Sequence, residues 1–255
     1  MGATQTYRIE GKDRYLTAVE ISKRGWPDGS DVVVLANGIN YPDALSAAPL
    51  AKKHNAPILL SPKEKLNPDT AMEIKRLKAR RVILVGGDSA LSTNVLFELR
   101  MMGVEVSRIS GANRYDTSLA VAQEVGMGQG ILVVRGDRYQ DAVGASAIAA
   151  GQGMPLILVS NNLTPEQEKA LGNDQVSNAI FVGGDRDFST RTFNLFPEWI
   201  WIKGSDAYER NVELVKEFER GLDLKDVYIA TGRAFPDALA ASALAAQGDN
   251  PVFLI

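Results

Sequence analysis

The chain has 255 residues, of which 45% are hydrophobic and 23% charged, and its formal net charge is −3. That length suits one large domain or two to three small ones, and the near-balanced charge offers no basic field for nucleic acid. Cysteine is absent and His54 is the one histidine, which excludes disulfides and thiolate chemistry and leaves little for histidine catalysis.

Taken in chain order, Arg14–Arg24 has helical spacing, with Tyr15, Ala18, Val19 and Ser22 along one stripe. Asp31–Ala36 is a short apolar run, the pattern of a strand buried on both faces. Ala44–His54 reads as a small-residue helix with His54 solvated at its end, and Pro57–Leu60 as a further apolar run. Asn67-Pro68 supplies a cap residue and a proline at a helix start, Arg81–Val85 is a buried strand, and Ser92 caps a helix that Gly103 stops. Val104–Ile109 closes the series as a strand. Regular alternation with short connections predicts a mainly parallel sheet covered by helices. No run of 18 apolar residues is present, so no membrane span is expected, and the short polar start Met1–Thr6 has no signal-peptide pattern.

The same order of elements then returns. Arg8-Ile9-Glu10-Gly11-Lys12-Asp13-Arg14-Tyr15 recurs as Arg108-Ile109-Ser110-Gly111-Ala112-Asn113-Arg114-Tyr115, and loosely as Trp201-Ile202-Lys203-Gly204-Ser205-Asp206-Ala207-Tyr208. Tyr41-Pro42-Asp43-Ala44-Leu45 recurs as Tyr139-Gln140-Asp141-Ala142-Val143 and Phe235-Pro236-Asp237-Ala238-Leu239. Pro57-Ile58-Leu59-Leu60 recurs as Pro155–Leu158 and Pro251–Leu254, and Val85-Gly86-Gly87-Asp88 as Val182-Gly183-Gly184-Asp185. Asp43 to Asp141 spans 98 positions and Asp141 to Asp237 spans 96, so the period is near 97 and tandem units are expected. The expected divisions are residues 7–106, 107–200 and 201–255, the last a half unit. Half a parallel sheet exposes an edge and leaves Val252–Ile255 poorly covered. The expectation is therefore that the natural chain continues and that the half unit packs against unit 1 or unit 2, or against another chain.

Some recurrent residues admit two readings. Asp43, Asp141 and Asp237 follow a strand and start a helix, where they can cap the helix or border a ligand crevice. Tyr41, Tyr139 and Phe235 can stack on sugar rings or anchor the loop in the core. Arg135 and Arg138 stand beside the second aromatic and Arg233 beside the third, whereas unit 1 has Asn37 and Asn40. Arg14 and Arg114 open helices, where a cation opposes the dipole, so each needs a partner: a neighbouring unit or an acidic polymer. Gly86, Gly87, Gly183 and Gly184 fit tight strand-to-loop turns better than a phosphate loop, whose Lys-Ser/Thr is missing.

These four blocks, in order from about Tyr7 onward, resemble the cell wall binding repeat 2 family of Gram-positive surface and S-layer-type proteins. The resemblance implies Rossmann-like or Toprim-like units in a pseudo-threefold arrangement. It implies noncatalytic anchoring, without cofactor or metal, of a secreted protein on the cell wall or cell surface. Its ligand would be an anionic polysaccharide resembling teichoic acid, and an effector domain would lie elsewhere in the full-length protein. It also links the Ile58-Leu59-Leu60 segment to anchoring, which composition reads as a buried strand shaping the site. The expected polymer contacts are Arg14, Arg114, Tyr41, Tyr139, Phe235, Arg135, Arg138 and Arg233. Two other classes compete: a wall-modifying enzyme using Asp43 with Asp88, and a module that assembles with other proteins.

Overall fold

The computed structural model describes residues 5–40, 42–172 and 176–255. Asp13 accepts hydrogen bonds from the Tyr15 and Leu16 N–H groups and so caps α1 (Arg14–Gly25), which buries Thr17, Ala18, Val19, Ile21 and Ser22. β1 (Val32–Asn37) follows, then a 3-10 turn (Ala44–Ser46) and α2 (Ala47–Lys53). The single helix expected over Ala44–His54 is thus split. Pro49 has no N–H to return to Leu45, so the α ladder begins only in its own first turn. β2 (Ile58–Ser61), α3 (Pro68–Leu77), β3 (Arg81–Val85), α4 (Thr93–Met101) and β4 (Glu105–Ile109) complete unit 1.

Unit 2 repeats the plan with α5 (Arg114–Val125), β5 (Ile131–Arg135), α6 (Tyr139–Gly151), β6 (Leu156–Val159), α7 (Pro165–Leu171), β7 (Asn178–Val182), α8 (Thr190–Phe193) and β8 (Glu198–Ile202). Unit 3 comprises α9 (Ala207–Glu217), a 3-10 turn (Glu219–Gly221), β9 (Tyr228–Ala230), α10 (Phe235–Gln247) and β10 (Val252–Leu254). The sheets run β2-β1-β3-β4, β6-β5-β7-β8 and β10-β9, and all their pairings are parallel. The apolar runs read as doubly covered strands are so: Val33, Val34, Leu35, Leu59, Leu60, Val82 and Leu84 are fully buried.

What joins the units is the small-residue helix of each. α2, α6 and α10 pack on one another about the centre of the molecule, and Ala47, Ala48, Ala145, Ala147 and Ala243 are buried there. Short side chains let helix backbones approach closely, which explains why this segment is alanine-rich in every unit. The leading helix of each unit packs on the central helix of the unit before it: α5 on α2, α9 on α6, and α1 back on α10. The half unit therefore closes a three-membered ring, and one apolar cluster runs through all three units.

Val252 and Leu254 are buried rather than poorly covered, because α6, α9 and α10 lie against β10. Asn211 of α9 also holds the strand, accepting from the Leu254 N–H at 3.0 Å and donating to the Val252 carbonyl at 3.0 Å. The free edge is β9, whose Ile229 is 64% exposed.

Candidate functional site

Strand order 2-1-3-4 puts a topological switch between the first and third strands of a unit, and open α/β sheets bind ligands beyond the carboxyl ends of those strands. In unit 1 the Asn37 side chain ties the two loops together there. It donates to the Ala90 carbonyl and accepts from the Ile39 and Asn40 N–H groups, both at 2.7 Å. Gly86, at φ +103°, must be glycine twice over: a β-carbon would also lie 2.9 Å from Asp43 Oδ2. Arg108 donates to the Gly86 and Leu91 carbonyls at 2.7 and 2.8 Å and pairs with Asp88 at 3.1 Å.

Unit 2 builds the same crevice from charges. Arg135 replaces Asn37, donates to the Asp187 carbonyl at 3.2 Å and grips Asp137 with two bonds of 2.9 and 2.6 Å. The guanidinium holds the Asp137 carboxyl below the usual carboxylate range. Arg138 reaches the buried Asp187 carboxylate at 2.9 Å, which also accepts from the Gly184 N–H at 2.6 Å. Trp201 replaces Arg108 and donates to the Gly183 carbonyl at 3.0 Å, with Lys203 over its ring.

The leading-helix arginines lie where neighbouring units meet. Arg14 donates to the Gly38 carbonyl at 2.6 Å and Arg114 to the Gly136 carbonyl at 2.8 Å, so each spans its own helix start and its own strand end. Carbonyls are the side-chain partners found for both, and neither forms an ion pair among the described residues. Arg14 also faces unit 3. Burial raises the pKa of the half-buried Asp237, and the Arg14 charge opposes that rise. Arg233, in the loop between β9 and α10, is exposed, and its guanidinium has no carboxylate partner among the described residues.

The seam between units 2 and 3 differs. Ala207 stands where units 1 and 2 have arginine, and Arg210, one turn on, enters the seam instead. It clamps Asp141 through Nε at 2.7 Å and Nη2 at 2.9 Å, with both side chains almost wholly buried. Burial pushes the Asp141 carboxyl upward, against the pull of Arg210. The Gly232 carbonyl, equivalent to those of Gly38 and Gly136, accepts instead from the Tyr139 hydroxyl of unit 2 at 3.2 Å.

Several expectations change. The aspartates do not cap: Asp43 makes no capping bond, while Asp141 and Asp237 lie inside the first turns of α6 and α10. The caps are Asp13, Asn113 and Asp206, which immediately precede the leading helices and bond to their first N–H groups. Ser92 is in cap position, but its hydroxyl is buried without a partner. Phe235 is buried, offering little face to a sugar. Tyr41 lies outside the described residues. His54 is not solvated; its ring sits 3.2 Å from Arg81 and 3.6 Å from Glu124 of unit 2, and burial lowers its pKa. Ile58, Leu59 and Leu60 form β2 at the sheet edge and are buried under α1 and α10. Gly86, Gly87, Gly183 and Gly184 form the turns after β3 and β7. Asp88 serves Arg108 and Thr93 Oγ1, at 3.1 and 3.2 Å.

The model for cell wall binding domain 2 (CWB2) matches residues 8–96, 108–192 and 202–255, one stretch per unit. The chain belongs to that family. Over 248 residues it is 34% identical to the N-acetylmuramoyl-L-alanine amidase LytC of Bacillus subtilis, a match covering 97% of the chain and 49% of LytC. It is 29% identical to the amidase enhancer of the same organism, over 98% of the chain and 34% of that protein. Cwp6 from Clostridium difficile superposes with a TM-score of 0.90 at 30% identity, over 96% of the chain and 41% of Cwp6. Cwp8 from the same organism gives 0.86 at 29% identity, over 96% of the chain and 44% of Cwp8. The chain thus spans half or less of these relatives. It is a CWB2 wall-binding module rather than a catalytic domain, associated with the cell wall or surface. No described helix is long and apolar enough to cross a membrane.

Proposed function

We propose that this CWB2 module binds an anionic secondary wall polymer, and so holds a secreted protein, with its effector domain elsewhere, on a Gram-positive wall. The observation that carries the reading is the pair Arg14 and Arg114, cations held at strand-end carbonyls with no carboxylate ion pair among the described residues, with the exposed Arg233 as a further cation on the rim. Arg14 and Arg114 open helices, where the dipole disfavours them, so an anionic ligand has something to repay. A guanidinium offers a planar fork to phosphate or carboxylate, and its charge-assisted bonds contribute about 1.5–3 kcal/mol each. Weak contacts repeated around the ring add through effective concentration.

Arg135 and Arg138 contribute less, because Asp137 and Asp187 already neutralise them. Tyr139 and Phe235 then act as supports of the crevice rather than stacking platforms. The test is retention on purified Gram-positive walls, followed as sodium chloride is raised. Retention falls steeply with salt, Arg14→Ala and Arg114→Ala each weaken it roughly tenfold or more, and Arg233→Ala weakens it less. Salt-independent retention that all three variants share would refute the reading.

A further inference from the structure

The three seams of the ring are built from equivalent positions but are not equivalent in chemistry. In the seams of unit 3 with unit 1 and of unit 1 with unit 2, the leading helix brings an arginine that donates to a strand-end carbonyl, Gly38 or Gly136. Neither arginine is in ion-pair contact with a carboxylate among the described residues, although the Arg14 charge acts on Asp237 across its seam, so each can still turn to a ligand. The seam of unit 2 with unit 3 is built differently. Ala207 removes the arginine, and Tyr139 reaches across to take the vacated Gly232 carbonyl at 3.2 Å. Arg210 carries the positive charge inward instead and cancels it against Asp141, with the two side chains 6% and 0% exposed. Arg138, on the rim, is held by the buried Asp187.

A guanidinium already bonded on two sides to a buried carboxylate cannot turn to a solvent anion without leaving that carboxylate uncompensated, which is costly.

We infer that the module takes the anionic polymer at two of its three seams, through Arg14 and Arg114, and that the third has been converted into an internal lock that takes none. The inference rests on the polyanion reading above and adds the number and identity of the sites. The seams also divide in what a substitution does: Arg14 and Arg114 act on binding, whereas Arg210 and Asp141 act on cohesion between units 2 and 3.

The experiment is calorimetric titration of the whole chain with tripolyphosphate, a probe too short to bridge two seams, at low salt. Two equivalents are expected; Arg14→Gln and Arg114→Gln each remove one, and Arg138→Gln leaves both. Three equivalents, a single equivalent, or loss on Arg138→Gln with none on Arg14→Gln would overturn the assignment while leaving polyanion binding intact. No heat with tripolyphosphate, together with unchanged retention on walls at high salt, would overturn the polyanion reading and this inference with it. Because the count is read on the unsubstituted chain, it stands even if a variant fails to fold.

Discussion

The recurrent glycines are not equally required: those that precede a leading helix are held by close backbone approach, and others have space around them. A β-carbon on Gly111 would lie 2.4 Å from the Asp116 carbonyl carbon and 2.6 Å from the Thr117 nitrogen, backbone atoms that cannot move without uncoiling α5. Gly11 meets Leu16 and Thr17 in the same way. Gly111→Ala should therefore destabilise the chain by about 1–3 kcal/mol or more, as overpacking does. Gly87→Ala, with nothing within 4 Å, should stay within about 0.5 kcal/mol. Denaturant midpoints compared at equal slope distinguish the two.

His54 makes a second prediction at this scale. Burial comes first, and the Arg81 charge second, in lowering its pKa; Lys53 acts the same way, while Glu124 opposes them. The unfolded chain then binds the proton more readily than the folded one, so stability rises with pH through the histidine range. It is complete above the ordinary value of about 6.5 and declines as pH falls below it. A denaturant midpoint that drops between about pH 7.5 and 5.5, and flattens in His54→Leu, is the expected result. Equal slopes in the two proteins would remove His54 from the account.

Among the elements, the buried pair between α6 and α9 is the most exacting joint. Removing one partner leaves a charge without compensation, so Asp141→Ala or Arg210→Ala should cost about 3–5 kcal/mol. Replacing both with apolar residues of similar size should recover much of that loss. Asp43→Asn, at a position with no such partner among the described residues, should cost well under half as much; unfolding curves for the set would show whether the joint behaves this way. The elements themselves were largely visible in the sequence. Val33–Ala36, Ile58–Leu60 and Val82–Val85 are apolar runs too short for helices, and they are strands in the structure. Their recurrence gave the units. The partners of the charges were not visible, because ion pairing joins residues far apart in sequence. Arg210 and Asp141 are separated by 69 positions, and Arg138 and Asp187 by 49. Arg135 and Arg138 therefore read as free cations although carboxylates hold them. The caps differ again. Asp13, Asn113 and Asp206 each stand one residue before a leading helix and bond to its first N–H groups, whereas the aspartates of the second block also stand near a helix start and make no such bond.

At the scale of the whole molecule, closure of the ring by α1 on α10 fixes the three seams relative to one another, so a polymer bound as proposed would meet its sites at a fixed spacing. The central claim is that negative charge on the wall, not its sugar framework, is what the ring holds. The direct measurement is the fraction of chain retained on purified Gram-positive walls before and after phosphodiester-linked polymers are stripped with cold hydrofluoric acid. The account predicts strong retention on intact walls and its loss on stripped ones. Undiminished retention on the stripped walls would contradict it.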